Sequence, residues 1–220
     1  MRFFPMKTLK IKGYRNRLVP NTFYSSENKT NHVAILYPGW EYTNQMPLLF
    51  YTRQLLINRG ADVLCVDYSY SCNNEFNNSS NIEKKKWITA DVISAYKSVI
   101  CYRHYREITL IGKSLGSLAV VYLLQMGITL EKLKILWITP ALSENELQKA
   151  IKECKYESLL IIGTEDRFYD PDVLYQIQKN TSTEVLIIQD ADHNLGIKGE
   201  IIGSIDNLKI VIDALNSFLK

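Results

Sequence analysis

From residue 32 to its end the chain alternates two patterns, and no other feature constrains its fold as tightly. Short apolar runs recur: HVAILYPG (32–39), ADVLCVDYSY (61–70), EITLIGKS (107–114), LKILWITP (133–140), SLLIIGTED (158–166) and EVLIIQDADH (184–193). Each is short and continuously apolar, as strands covered on both faces are. Between them lie segments with apolar residues at helical spacing. QMPLLFYTRQLLINRG (45–60) closes on Gly60, a good helix stop. IEKKKWITADVISAYKSVICYR (82–103) follows Ser80 and Asn81 as candidate caps, with Glu83 in its first turn. SLGSLAVVYLLQMG (114–127) is an apolar helix, two shorter helices fit near 143–153 and 171–179, and IDNLKIVIDALNSFLK (205–220) closes the chain.

Doubly buried strands joined by helices predict an α/β fold. Its doubly wound, mostly parallel central sheet has about six strands, flanked by helices through right-handed crossovers. Sheets of this kind bind ligands at the carboxyl ends of their strands. The N-terminal LKIKGYRNRLVPNTFYSS adds a peripheral strand or two, and the Asn/Ser-rich CNNEFNNSSN (72–81) reads as a loop. No repeat or linker divides the 220 residues, so a single domain over 1–220 is expected, one that buries roughly 70% of its unfolded surface.

Composition narrows the partners. The chain is 46% hydrophobic and 22% charged, ordinary for a soluble globular protein, and its net charge is only +3. The lysines at 84–86 read as the solvated start of a helix, so no nucleic-acid partner is expected. No apolar stretch approaches the roughly 18 residues that span a bilayer. MRFFPMKTLKIKG lacks the apolar run of a signal peptide, so no membrane association is expected either. Cys65, Cys72, Cys101 and Cys154 are scattered without metal-ligand spacing. No metal and no cofactor is expected, and free thiols point to the cytoplasm.

The chemistry must then lie at the strand ends. After EITLI comes Gly112-Lys113-Ser114-Leu115-Gly116, a G-x-S-x-G that leads into a helix. A serine on a tight strand-to-helix turn is held in a strained conformation, and residues two positions away must be small to avoid collision. The helix N-terminus behind it favours negative charge on a reacting oxygen. The stretch lacks the G-x-x-x-x-G-K-[ST] of a phosphate loop. A plain Gly-Ser helix start would look the same, so Ser114 is a nucleophile only if other strand ends supply an acid and a base. LLIIGTEDRFYD offers Glu165, Asp166 and Asp170 after Gly163, and Asp166 is the preferred acid. Of three histidines, His32 begins a strand and His104 follows a helix; His193 alone falls just past the last strand.

In this order, Ser114, Asp166 and His193, the chain resembles the α/β-hydrolase family, whose triad runs serine, acid, histidine. The resemblance covers residues 32–220 in element order and rests on GKSLGS, GTED and DADHN. It implies the α/β-hydrolase fold and a serine hydrolase that cleaves a small carboxylic ester or thioester through an acyl-enzyme on Ser114. It also implies an oxyanion hole from the backbone N–H groups of Trp40 and Leu115. In the first of those loops the family usually shows His-Gly; here the chain reads Pro38-Gly39, with Glu41 close by. The dienelactone hydrolases, similar in size, carry cysteine at the elbow, so their activity is not implied. The connection from Pro140 to Glu157 has room for little more than one helix, which predicts no cap domain. Tyr42, Tyr68, Tyr70 and Phe168, with Trp40, are candidates for the substrate pocket wall, or equally for a rim that closes the top of the sheet. The same residues also suit a non-catalytic binding module on a hydrolase scaffold, or an acyltransferase or peptidase using the triad.

Overall fold

The computed structural model describes residues 5–26, 29–127, 132–180 and 182–220. Residues 1–4 of the N-terminal stretch lie outside the described residues. Among the described residues one sheet of eight strands organises the fold: β1 (Met6–Lys7), β2 (Asn21–Tyr24), β3 (His32–Tyr37), β4 (Asp62–Val66), β5 (Glu107–Lys113), β6 (Lys132–Ile138), β7 (Glu157–Gly163) and β8 (Thr183–Ile188). In space they run β1-β2-β4-β3-β5-β6-β7-β8. Strands β3 to β8 are all parallel and are the six read from the apolar runs. β1 and β2 add an antiparallel margin, the peripheral strands expected before residue 32. Burial follows pairing: β2 alternates buried and half-buried residues, whereas β4 is buried throughout and β3, β5, β6 and β7 are buried beyond their first residue.

Among the described residues seven α-helices accompany the sheet: α1 (Pro47–Asn58), α2 (Asn74–Asn78), α3 (Asn81–Ile100), α4 (Leu115–Leu124), α5 (Asn145–Lys152), α6 (Pro171–Asn180) and α7 (Ile201–Phe218). On one face, Leu48 and Leu56 of α1 and Leu215 of α7 pack with Leu36, Leu136 and Ile161. On the other, Trp87 and Val92 of α3, Val120 of α4, Leu147 of α5 and Ile177 of α6 pack with Ile35, Trp137 and Leu160. Helices thus cover both faces, as doubly buried strands require. Among the described residues no helix is long and apolar enough to cross a membrane.

Two expectations are corrected. Residues 72–81 are not a loop throughout, since 74–78 form α2. The side chain of Asn73 accepts a bond from the Phe76 N–H at 3.0 Å, and the buried Phe76 ring anchors the turn in the core. A single apolar residue among asparagines gives no helical period, which is why the helix escapes a pattern search. The closing helix begins at Ile201 rather than 205. Its first turn exposes Ile201 and Ile202, so apolar periodicity does not mark it. As expected, Ser80 caps α3 by accepting from the Glu83 N–H.

The chain passes from β3 outward to β4, then returns across β3 to β5. A crevice at the strand ends opens at such a reversal. The loop after β3 and the turn after β5 therefore face one another. Between β6 and β7 lies α5 and nothing larger, so the crevice has no cap.

Candidate active site

Ser114 occupies the turn between β5 and α4 with φ 52° and ψ −115°. This left-handed conformation costs a non-glycine residue on the order of 1–3 kcal/mol. The turn is over-determined by its surroundings. The Ser114 N–H donates to the Ile138 carbonyl at 3.0 Å, and its carbonyl accepts from the Ser117 N–H at 2.9 Å. Two glycines make the turn physically possible. A Cβ on Gly112 would lie 2.6 Å from the Gly116 carbonyl oxygen, and one on Gly116 would lie 1.9 Å from that of Tyr37. Because backbone stands on the far side of both contacts, neither neighbour can yield. Gly116→Ala is therefore expected to cost roughly 3 kcal/mol, read as a lower thermal midpoint; a midpoint unchanged from wild type would show that α4 can move off the sheet.

The expected base and acid, His193 and Asp166, come from the loops after β8 and β7. His193 Nδ1 lies 2.8 Å from Asp166 Oδ2. The Asp166 side chain is fully buried and that of His193 is 24% exposed. Oδ1 of Asp166 accepts from the Phe168 N–H at 3.0 Å, which fixes the carboxylate plane. A carboxylate on Nδ1 leaves Nε2 as the ring position able to take a proton. Gly163 lets the two loops meet: a Cβ there would be 2.0 Å from the Ala191 carbonyl oxygen. The Glu165 N–H donates to that same carbonyl at 3.0 Å.

The two competing acids separate cleanly. Glu165 is exposed. Asp170 caps α6, its Oδ1 accepting from the N–H groups of Asp172 and Val173 at 3.0 Å each. The dipeptide Asp170-Pro171 carried that signal in sequence: a cap residue followed by proline in the first helical position. His32, at the start of β3, has its Nε2 2.9 Å from Thr109 Oγ1. His104 is exposed.

Gly39 presses on Ser114, since a Cβ there would come within 3.0 Å of Ser114 Cβ. A turn follows in which the Tyr42 N–H donates to the Gly39 carbonyl at 3.3 Å and Glu41 adopts φ 57°. Trp40 lies inside this turn, one residue after Gly39. Leu115 opens α4, so its N–H is among the donors a helix N-terminus leaves without intrahelical partners. Pro38 is used too, its carbonyl accepting from the Tyr68 hydroxyl at 2.9 Å. Glu41 is exposed at the cleft edge, where solvent screens its charge.

A cleft of about 310 Å³ runs along this loop, lined by Trp40, Tyr42, Tyr68, Tyr70, Cys72 and Leu115 among others. Tyr68 and Tyr70 are stacked at 4.4 Å, and Phe76 stacks behind Tyr70 at 4.4 Å, so the wall is a rigid aromatic pile. The Tyr70 hydroxyl donates to Asp91, whose carboxyl burial pushes up to about 6. Phe168 is the exception among the expected wall residues. Its ring packs edge-on against the His193 imidazole at 5.4 Å and does not line this cleft. The exposed thiol of Cys72 also lines the cleft, a position that sequence spacing from the elbow did not reveal.

Lys113, one residue before Ser114, was likewise invisible as a site residue. It is 1% exposed. Its Nζ donates to the His193 carbonyl and to Thr139 Oγ1, both at 3.1 Å, and sits 4.5 Å from the Tyr42 ring centroid. Burial pushes its ammonium down to about 8, against the pull of the Asp166 and Asp192 carboxylates. The only hint in the sequence was a lysine closing an otherwise apolar strand.

No family model matches the chain, and no curated protein matches it. Solved structures do match along the full length. The esterase Pf2001 of Pyrococcus furiosus superposes with a TM-score of 0.70 at 16% identity, over 98% of this chain and 92% of that one. Dienelactone hydrolase from Anabaena variabilis gives 0.69 at 16% identity, over 98% and 97%. A protein of unknown function from Agrobacterium tumefaciens, described as a candidate α/β hydrolase, gives 0.74 at 17% identity, over 98% and 96%. At such identities the likeness speaks for the fold. The chain has the α/β-hydrolase fold, in a form without a cap domain.

Proposed function

We propose that this protein is a serine hydrolase that cleaves small carboxylic esters through an acyl-enzyme on Ser114. The observation that carries this reading is the bond from His193 Nδ1 to the buried Asp166, made in a loop that is tied to the strand presenting the strained Ser114. His193 Nε2 takes the proton of Ser114 Oγ as the oxygen attacks the acyl carbon. Asp166 holds the imidazole tautomer and stabilises the imidazolium. The tetrahedral oxyanion lies against the N–H groups of Trp40 and Leu115, each worth roughly 3 kcal/mol of barrier. On collapse the imidazolium protonates the departing alcohol. Water then attacks the acyl-enzyme, losing its proton to His193, and the acid leaves with Ser114 restored.

Two of the superposed structures are named as an esterase and a dienelactone hydrolase. They support ester chemistry by analogy of fold alone. Serine at the elbow sets this chain apart from the cysteine-dependent dienelactone hydrolases. Four free cysteines suit a reducing compartment such as the cytoplasm.

The cleft favours small acyl groups. Its aromatic wall is closed by the Tyr68–Tyr70–Phe76 stack, and no cap extends it. Each methylene that finds cover contributes about 0.8 kcal/mol, close to fourfold in kcat/KM, and the gain stops when the cover runs out. A series of p-nitrophenyl esters tests both the activity and the size limit. The expected optimum lies between acetyl and butyryl, with a fall by octanoyl. An optimum at octanoyl would refute the closed wall, and no turnover of any ester would refute the reading itself.

A further inference from the structure

We propose that Lys113 is a positioning residue for the triad: anchored in the elbow, its ammonium group clamps the main chain of His193 and so holds the imidazole in register with Ser114. The proposal rests on the hydrolase reading above, and one of its readouts is independent of turnover.

Geometry sets the problem that Lys113 solves. Ser114 follows β5 and His193 follows β8, with β6 and β7 between them. Nucleophile and base thus stand on strands that do not touch. The His193 loop is also under strain, since Asp190 and Leu195 adopt φ 57° and 62°. Its other anchors are local, run to β7 and its turn, or come from α7: the Asp190 N–H donates to Thr164 Oγ1, the Glu165 N–H donates to the Ala191 carbonyl, Asp192 Oδ1 accepts from Asn194 and Gly196, and the Asn207 side chain donates to the Leu195 carbonyl. Lys113 alone among these anchors reaches from the nucleophile's own strand, 3.1 Å from the His193 carbonyl, and it spans the intervening strands through Thr139 at the end of β6.

A purely structural lysine would not be built this way. Both hydrogen-bond acceptors of the ammonium are neutral, and a buried cation without a direct partner burdens the folded state. The charges that face it are the Asp166 and Asp192 carboxylates, which favour it, and the Arg167 guanidinium, which opposes it; Tyr42 contributes a ring face. An apolar side chain of similar length would fill the same slot more cheaply. What it could not do is donate to the His193 carbonyl.

Lys113→Met tests the assignment. With a soluble ester at pH 7, kcat should fall about 30-fold while KM stays within about twofold, because the imidazole acts in the transition state rather than in substrate binding. The thermal midpoint should be equal to or above wild type at pH 7. Its advantage should shrink as pH rises from 8 toward 10, where the wild-type amine sheds the charge that burial penalises. Amide exchange over residues 190–196 should quicken in the variant, whether or not any ester turns over. Wild-type kcat, unchanged exchange in that loop, or a midpoint several degrees below wild type would each overturn the proposal. If the wild type neither turns over esters nor labels at Ser114, the hydrolase reading fails, and the exchange data still decide whether Lys113 holds the loop. Should Lys113→Met not fold, the wild-type pH profile decides: kcat should decline with a single proton loss above about pH 8 as the charge-assisted bond weakens. A profile flat to about pH 9.5 would overturn the clamp.

Discussion

Ser114→Ala should lower kcat for ester hydrolysis by roughly a millionfold while leaving the fold intact. The expectation follows from what the substitution removes and what it keeps. Alanine retains the Cβ, so the left-handed turn loses no packing. The bonds from the 114 N–H to Ile138 and from Ser117 to the 114 carbonyl are main-chain and persist. Only Oγ is lost, and with it the acyl-enzyme. His193 and Asp166 then have no nucleophile to activate, and what remains is slow attack by water within the oxyanion hole. The substitution leaves the proposed substrate cleft untouched, so KM should move little. Initial rates on p-nitrophenyl butyrate, with near-ultraviolet circular dichroism as the folding control, check the result. A variant that retains more than about 1% of wild-type kcat would place the nucleophile elsewhere.

Asp166→Asn carries the second-largest effect, about four orders of magnitude in kcat. The surroundings of the carboxylate explain why an isosteric change is so damaging. The Phe168 N–H donates to Oδ1, so the asparagine oxygen is held at that position and the NH₂ must face His193 Nδ1. Two donors would then confront each other. The imidazole relieves this by moving its proton to Nε2, the nitrogen that must accept the proton of Ser114. Glu165→Gln, exposed, should leave kcat within about twofold. Asp170→Asn should do the same, because asparagine caps a helix about as well as aspartate. A loss in Glu165→Gln equal to that in Asp166→Asn would assign the acid role to the wrong carboxylate. Measured side by side, kcat/KM for the three variants separates these cases.

Legibility in the sequence followed burial. The six parallel strands were readable because doubly covered strands are apolar without interruption, as in EITLI and LLIIG. Their ends were less so: ADVLCVDYSY looked apolar to residue 70, yet β4 stops at Val66 and the tyrosines beyond it build the cleft wall. An aromatic side chain that lines a site resembles one in a strand. Ser114, Asp166 and His193 could be chosen because chain order and strand ends restrict them. Phe168 could not be placed, since whether a ring faces a cleft or an imidazole depends on a contact across two loops. Lys113 was beyond reach for the same reason, because its acceptor is a carbonyl 80 residues away. Side chain-to-main chain contacts of that range leave no pattern in composition or period.

In the proposed function, the turn after β5 makes Ser114 an activated nucleophile. Treatment of the purified protein with a fluorophosphonate, followed by intact mass and peptide mapping, tests it most directly, because the probe reacts with an activated serine whatever the natural ester. A single adduct is expected, on the peptide that contains Ser114, and none in Ser114→Ala. No adduct on the folded wild-type protein, or an adduct that persists in Ser114→Ala, would contradict it.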